Sequence, residues 1–130
     1  MKFLLLIHSN PEALNALSPQ QREELIGERQ RLIGRVRDLR ASGELVSVLS
    51  LPDPTAGKSI HAVAGTPVIS DRPFLETKEL LAGALLVECP TIDRALEIAA
   101  EIPSSFAQRI DVRPVREIDD QDLADADIGE

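Results

Sequence analysis

The chain has no Trp, no Tyr and only three Phe among its 130 residues. Any core built from it is aliphatic, and its surface lacks the aromatic platforms on which single-stranded nucleic acid stacks. Cys89 stands alone, so no internal disulfide can form and nothing points to an oxidising compartment. Long apolar runs are missing too. The run FLLLI, residues 3–7, follows a single Lys and stops at His-Ser-Asn-Pro, too short for a signal peptide's apolar region and far too short to span a membrane. The expected location is the cytoplasm.

Positive charge is absent from the last fourteen residues, EIDDQDLADADIGE, which carry seven acids. The rest of the chain holds 14 basic and 15 acidic residues, so the net charge of -8 is almost entirely tail. We therefore divide the chain into a nearly neutral domain, residues 1–116, and an acidic, flexible tail, residues 117–130. Phosphate backbones and anionic lipid repel such a tail, which argues against nucleic-acid and membrane partners. With 43% hydrophobic and 28% charged residues, the body reads as one ordinary globular domain.

KFLLLIH, residues 2–8, is a continuous apolar run closed by Ser9, Asn10 and Pro11, as in a central strand buried on both faces. Ser18, Pro19 and Gln21 form a capping-box start for a long helix reaching about Ser42, with Gly43 as its C-terminal cap. Leu25, Ile26, Leu32, Ile33, Val36 and Leu39 are expected on its apolar stripe. ELVSVLSL, residues 44–51, reads as a buried-type strand, and the TAGK after Pro52-Asp53-Pro54 as a turn. SIHAVA and PVIS flank Gly65-Thr66, the signature of a hairpin with a type II′ turn that would pair Val63 with Val68 and His61 with Ser70. ALLVEC, residues 84–89, is another buried-type strand. Thr91 then caps a helix whose Ile92, Ala95, Leu96, Ala99 and Ile102 share a face until Pro103. IDVRPV, residues 110–115, alternates as a half-exposed strand, with Pro114 suited to an edge or strand end.

The order is strand, helix, strand, hairpin, strand, helix, strand. That is an α+β, ferredoxin-like βαβ(ββ)βαβ plan with an antiparallel sheet covered by both helices on one face. The first, second and ALLVEC strands are apolar on both faces, so the uncovered face needs a partner sheet, and we expect a homodimer packed sheet to sheet.

Between the hairpin and the ALLVEC strand lies a polar knot. The segment VISDRPFLETKELLAGALLVE, residues 68–88, resembles the one that defines the DGPF branch of the YCII-related domains, an Asp-Gly-Pro-Phe followed by Ala-Glu-Thr-Lys-Glu, a Gly-containing link and an apolar strand. MKFLLLIH, VRPV and TIDRALEIAAEIP also resemble their counterparts, so the likeness runs from residue 1 to about 116. Arg72 departs from the pattern, standing where the family has Gly; a backbone with positive φ is disfavoured there and a charged side chain takes its place. The resemblance implies a dimeric α/β-barrel with a cleft beside each sheet. Its members are found encoded beside alternative sigma factors, and relatives in the wider family carry a His and Asp proposed as a catalytic pair. The motif's Asp maps onto Asp71; neither His8 nor His61 aligns by motif with the family's His.

Each candidate has a functional and a structural reading. Asp71, at a strand end beside a cleft, is suited to act as a general base or ligand anchor, or to cap the turn as Asp does in Asx turns. Arg72 could take an anionic group. Pro73 and Phe74 read as a rigid turn and a core plug, with Phe74 alternatively a ligand contact. Glu76, Lys78 and Glu79 read as a solvated ion-pair cluster, with Lys78 alternatively facing a ligand. His8 ends a central strand and is either a proton carrier or a hydrogen-bonded boundary residue. His61 sits mid-hairpin, facing solvent, a partner or a ligand. Cys89 reads as a small buried hydrophobe. No spacing of His, Asp and Cys matches a metal site, and GKS, residues 57–59, lacks the upstream Gly and following helix of a phosphate loop, so no metal or cofactor is expected.

Two functional expectations follow. One is a homodimer whose cleft binds, and by acid–base chemistry transforms, a small organic molecule, with His8 and Asp71 as the catalytic pair and Arg72, Phe74, Lys78 and His61 as ligand contacts. The other is a non-catalytic module acting on a sigma factor or other transcription regulator, with the acidic tail as its contact.

Overall fold

The computed structural model describes residues 1–52, 54–70, 79–102 and 107–125. Four strands, β1 (Lys2–Ser9), β2 (Leu45–Ser50), β5 (Leu80–Glu88) and β6 (Arg109–Pro114), form one antiparallel sheet in the order β2-β5-β1-β6. A long helix α2 (Pro19–Ala41) joins β1 to β2, and α3 (Ile92–Ala100) joins β5 to β6. This mixed α+β arrangement is consistent with the ferredoxin-like plan. The inserted strands β3 (Ser59–Val63) and β4 (Thr66–Ser70) pair only with each other, in a separate two-stranded sheet.

Local chemistry accounts for the helix ends. Ser18 accepts from the Gln21 backbone N–H at 3.1 Å while Gln21 Oε1 accepts from the Ser18 N–H at 2.8 Å, so two orphan donors are satisfied reciprocally. Gly43, at φ 85°, ends the helix in the left-handed conformation that costs Gly nothing. A short helix α1 (Pro11–Asn15) occupies the stretch that reads as breakers, because Asn10 accepts from the N–H groups of Glu12 and Ala13 and Pro11 suits a first turn.

Alternation along β1 sorts the sheet into two faces. Phe3 and Leu5 point to the helices and pack with Leu45, Leu85, Val87, Leu39, Ala95, Ile98 and Ala99; Phe3, Leu5, Val87 and Ile98 are fully buried. Burying each such side chain contributes about 1.5–3 kcal/mol. Cys89 belongs to this cluster, as a small buried hydrophobe. Lys2, Leu4, Leu6 and His8 point the other way, onto a face that no helix among the described residues covers.

Several expectations are corrected in detail. The α2 stripe is narrower than read: Leu39 is buried and Leu25, Leu32 and Val36 are half-buried, whereas Ile26 and Ile33 are exposed, each rotated about 100° from its buried neighbour. On α3 the buried face is Ala95, Ile98 and Ala99, with Ile92 and Leu96 turned outward. The second strand is an edge strand with Val46, Val48 and Leu49 exposed, not a buried one. The hairpin turns on Ala64-Gly65, not Gly65-Thr66, pairing Val63 with Thr66 and His61 with Val68. Both turn residues have positive φ, 50° and 81°, the type I′ geometry whose twist matches that of the strands.

Ion pairs tie α3 to the rest. Arg94 donates to both oxygens of Glu44 at 2.7 and 2.9 Å and to Glu97 at 3.0 Å, and Arg35 on α2 donates to Glu101 at 2.6 Å. In the tail, Glu117 pairs with Lys2, and Asp119 caps a short helix α4 (Asp120–Ala124) in which Asp122 meets Arg116 at 3.3 Å.

Candidate functional site

One group of polar residues on the uncovered sheet face gathers at the His8 end of β1. His8, near the end of β1, lies opposite Arg109 on β6 and Leu81 on β5, and Asp111 lies one pleat along β6 on the same face. The His8 Nε2 is 3.1 Å from Asp111 Oδ2. Asp111 also meets Arg109 Nη2 at 3.5 Å, and Arg109 Nη1 meets Glu79 Oε2 at 3.1 Å. The result is a chain of four groups, His8, Asp111, Arg109 and Glu79, drawn from three strands or their ends.

A β-bulge puts Glu79 there. Along β5 the register runs Ile7 opposite Gly83 and then His8 opposite Leu81, leaving Ala82 as the extra residue. Without that insertion, alternation would turn Leu81 and Glu79 toward the helices; with it, both join His8 on the uncovered face. The displaced Ala82 carbonyl accepts from the Leu51 N–H at 2.8 Å, so the bulge leaves no orphan there.

The geometry fixes roles. An ionised carboxylate only accepts, so His8 Nε2–H donates to Asp111, and in the neutral ring Nδ1 carries the lone pair. A ring oriented by a carboxylate in this way is suited to take up and return a proton. The His8 side chain is largely buried, at 17% exposure, against 43% for Asp111 and 53% for Arg109, so Asp111 and Arg109 are the solvent-facing members of the cluster.

Of the residues singled out in the sequence, His8 and Glu79 stand in this cluster, Glu79 as an ion-pair partner as read but of Arg109. His61 lies on the exposed hairpin with its Nδ1 3.4 Å from Ser70 Oγ, and belongs to that element. Asp71, Arg72, Phe74 and Lys78 lie outside the described residues, but the segment that holds them ends at Glu79, whose carboxylate is bound to Arg109. Asp111 and Arg109 were not foreseen. The alternation of residues 110–115 marks a half-exposed strand and places Asp111 on one face, but not beside His8, from which it is separated by 103 positions. Among the described residues no group of three or more His, Cys, Asp and Glu is arranged to hold a metal ion, and no helix is long and apolar enough to cross a membrane.

A family model, the YCII-related domain, matches residues 1–119, nearly the whole chain and every strand of the main sheet. The chain belongs to the YCII-related domain family. The match takes in all four members of the His8 cluster and stops within the acidic tail, just before α4. An uncharacterised protein of Rhizobium meliloti (strain 1021) is similar to this YCII-related chain, 29% identical over 105 residues, covering 81% of this chain and 82% of that one.

Proposed function

We propose that this protein is a homodimeric, DGPF-type member of the YCII-related family that binds a small organic molecule at the polar end of its uncovered sheet face, with His8 as proton carrier. The observation that carries the reading is the 3.1 Å contact between His8 Nε2 and Asp111, backed by Arg109 and Glu79, at the margin of an apolar face. Apolar sheet surface excludes water from a bound ligand, and a carboxylate-oriented imidazole beside it supports general acid–base chemistry, worth about 10²–10⁴ in rate where a reaction uses it. In this reading the motif residues that precede Glu79 in sequence contribute to the site. Asp71 and Arg72 supply a second carboxylate and an anion contact, and Phe74 and Lys78 complete the ligand surroundings, whereas His61 stays with the hairpin. Two sheets packed face to face form the barrel that shelters one such site per subunit.

The test is a solution NMR screen of small carbonyl compounds and carboxylic acids against the full chain. Binding should move the His8 ring signals together with the Asp111 and Arg109 amides, and His8→Gln or Asp111→Asn should weaken it tenfold or more. Ligands that perturb only other surfaces, or that bind both variants unchanged, would overturn the assignment.

One observation favours a second, non-catalytic reading as a partner-binding module in the cytoplasm. The acidic stretch that carries α4 exposes Ile118 and Leu123 among its carboxylates, the pattern of a contact for a basic, apolar surface such as that of a transcription regulator. Deleting residues 117–130 should abolish capture of such a partner and spare ligand binding near His8; a partner held equally well by the truncated chain rules the tail out.

A further inference from the structure

The β3–β4 hairpin is the element with the least support from its own fold. Among the described residues it hydrogen-bonds to no other strand, and every residue from 60 to 69 is exposed. Ile60 and Ile69 face each other across the ladder, on the side of Ala62 and Pro67, and remain 71% and 65% exposed; Val63 and Val68 are exposed on the opposite side. A two-stranded hairpin alone in water is marginally stable at best. Residues 59–70 also contain no charged side chain, and charge is a common means by which exposed strands discourage association.

The hairpin springs from the gap between Ser50 at the end of β2 and Leu80 at the start of β5, the same end of the sheet as His8, Arg109 and Glu79. Beside its root the uncovered face exposes Leu49 and Leu81, with Leu4, Leu6 and Leu86 half-buried next to them. The same chain thus carries two exposed apolar surfaces, the hairpin and the sheet face at the end from which the hairpin springs.

We infer that the hairpin is a dimerisation arm, packing onto a second copy of this chain and extending the sheet-to-sheet interface at its margin. The inference rests on the homodimer proposed above. Area supports a shared role for sheet and arm. If full exposure of an aliphatic side chain is taken as about 100 Å², the exposed sheet residues Leu49 and Leu81 offer roughly 100 Å² and the Ile60–Ile69 side of the arm roughly 140 Å². A standard interface buries about 800 Å² per partner, just over half of it apolar, or roughly 450 Å². Leu49 and Leu81 alone reach about a quarter of that, and with one side of the arm just over half, so the arm more than doubles the exposed apolar area a partner can cover. A second copy is the fitting occupant because a two-fold dimer presents both surfaces twice and lets each arm find the surface its own chain leaves open.

The experiment measures the oligomeric state of the full chain by light scattering and sedimentation, alongside hydrogen exchange of residues 60–69 as a function of protein concentration. A dimer is expected, with arm amides protected at least tenfold more above its dissociation constant than below it. Ile60→Lys with Ile69→Lys, both at exposed positions, should weaken dimerisation tenfold or more without changing the far-ultraviolet spectrum. A dimer whose arm stays unprotected and which tolerates the double substitution would overturn the arm and leave the dimer standing. A monomer at 100-fold higher concentration than a typical assay would remove both.

Discussion

Gly83 is a position where one hydrogen atom decides the packing. A Cβ built there would stand 2.7 Å from the Leu49 carbonyl oxygen, a backbone atom that cannot rotate away. The strands β2 and β5 therefore approach closely only because that Cβ is missing, next to the bulge that orients Leu81 and Glu79. Gly83→Ala is expected to push β2 off the sheet and to cost about 1–3 kcal/mol, measured by urea denaturation, with the Arg109–Glu79 contact disturbed as a secondary effect. Stability equal to that of the parent would show that the sheet relaxes around the methyl. At the same scale Ala64, at φ 50°, takes the left-handed conformation that a type I′ turn demands and that Asn or Gly adopts more readily. The sequence shows Gly65 plainly but gives no hint that an alanine precedes it in the turn, which is why the pairing is shifted by one residue on each strand.

Whole elements divide by whether their chemistry is local. The α2 start is legible because Ser18 and Gln21 sit three positions apart and satisfy each other without help from the rest of the molecule. The α3 anchoring is not: Arg94 reaches Glu44, 50 positions away, and no periodicity announces that pair. The pair has a pH consequence. Hydrogen bonding from Arg94, above all, holds the Glu44 carboxyl below the ordinary carboxylate range, so its folded pKa is depressed. Its stabilisation is fully present above the unfolded value, ordinarily 4.5, and is lost as the pH falls through the lowered one. Asp122 is depressed as well, chiefly by the backbone N–H of Asp119, and adds to the same acid limb. Thermal melts from pH 7 to pH 3 should therefore show an acid loss of stability that is shallower in Glu44→Gln than in the parent. Identical acid limbs would mean that the pair contributes nothing, as exposed ion pairs often do.

For the molecule as a whole, the main imbalance is between the two sides of the sheet. One side is closed by α2 and α3 over Phe3, Leu5, Leu85 and Val87; the other shows Leu4, Leu6, Leu49 and Leu86 with no cover from the described chain. If two copies close that side, dimerisation and folding are linked, and the unfolding midpoint should rise with protein concentration by mass action. A midpoint independent of concentration over a hundredfold range would count against the dimer. The sequence by itself determined the order of the six strands and the two main helices, the α+β class, the caps of those helices and the excess of apolar strand, because each is written in neighbours a few residues apart. Only the tertiary structure decided the strand order in the sheet, the bulge that turns Glu79 toward Arg109, and the meeting of His8 with Asp111. Such contacts join residues from 30 to 103 positions apart, and their geometry exists only once the register between strands has been set.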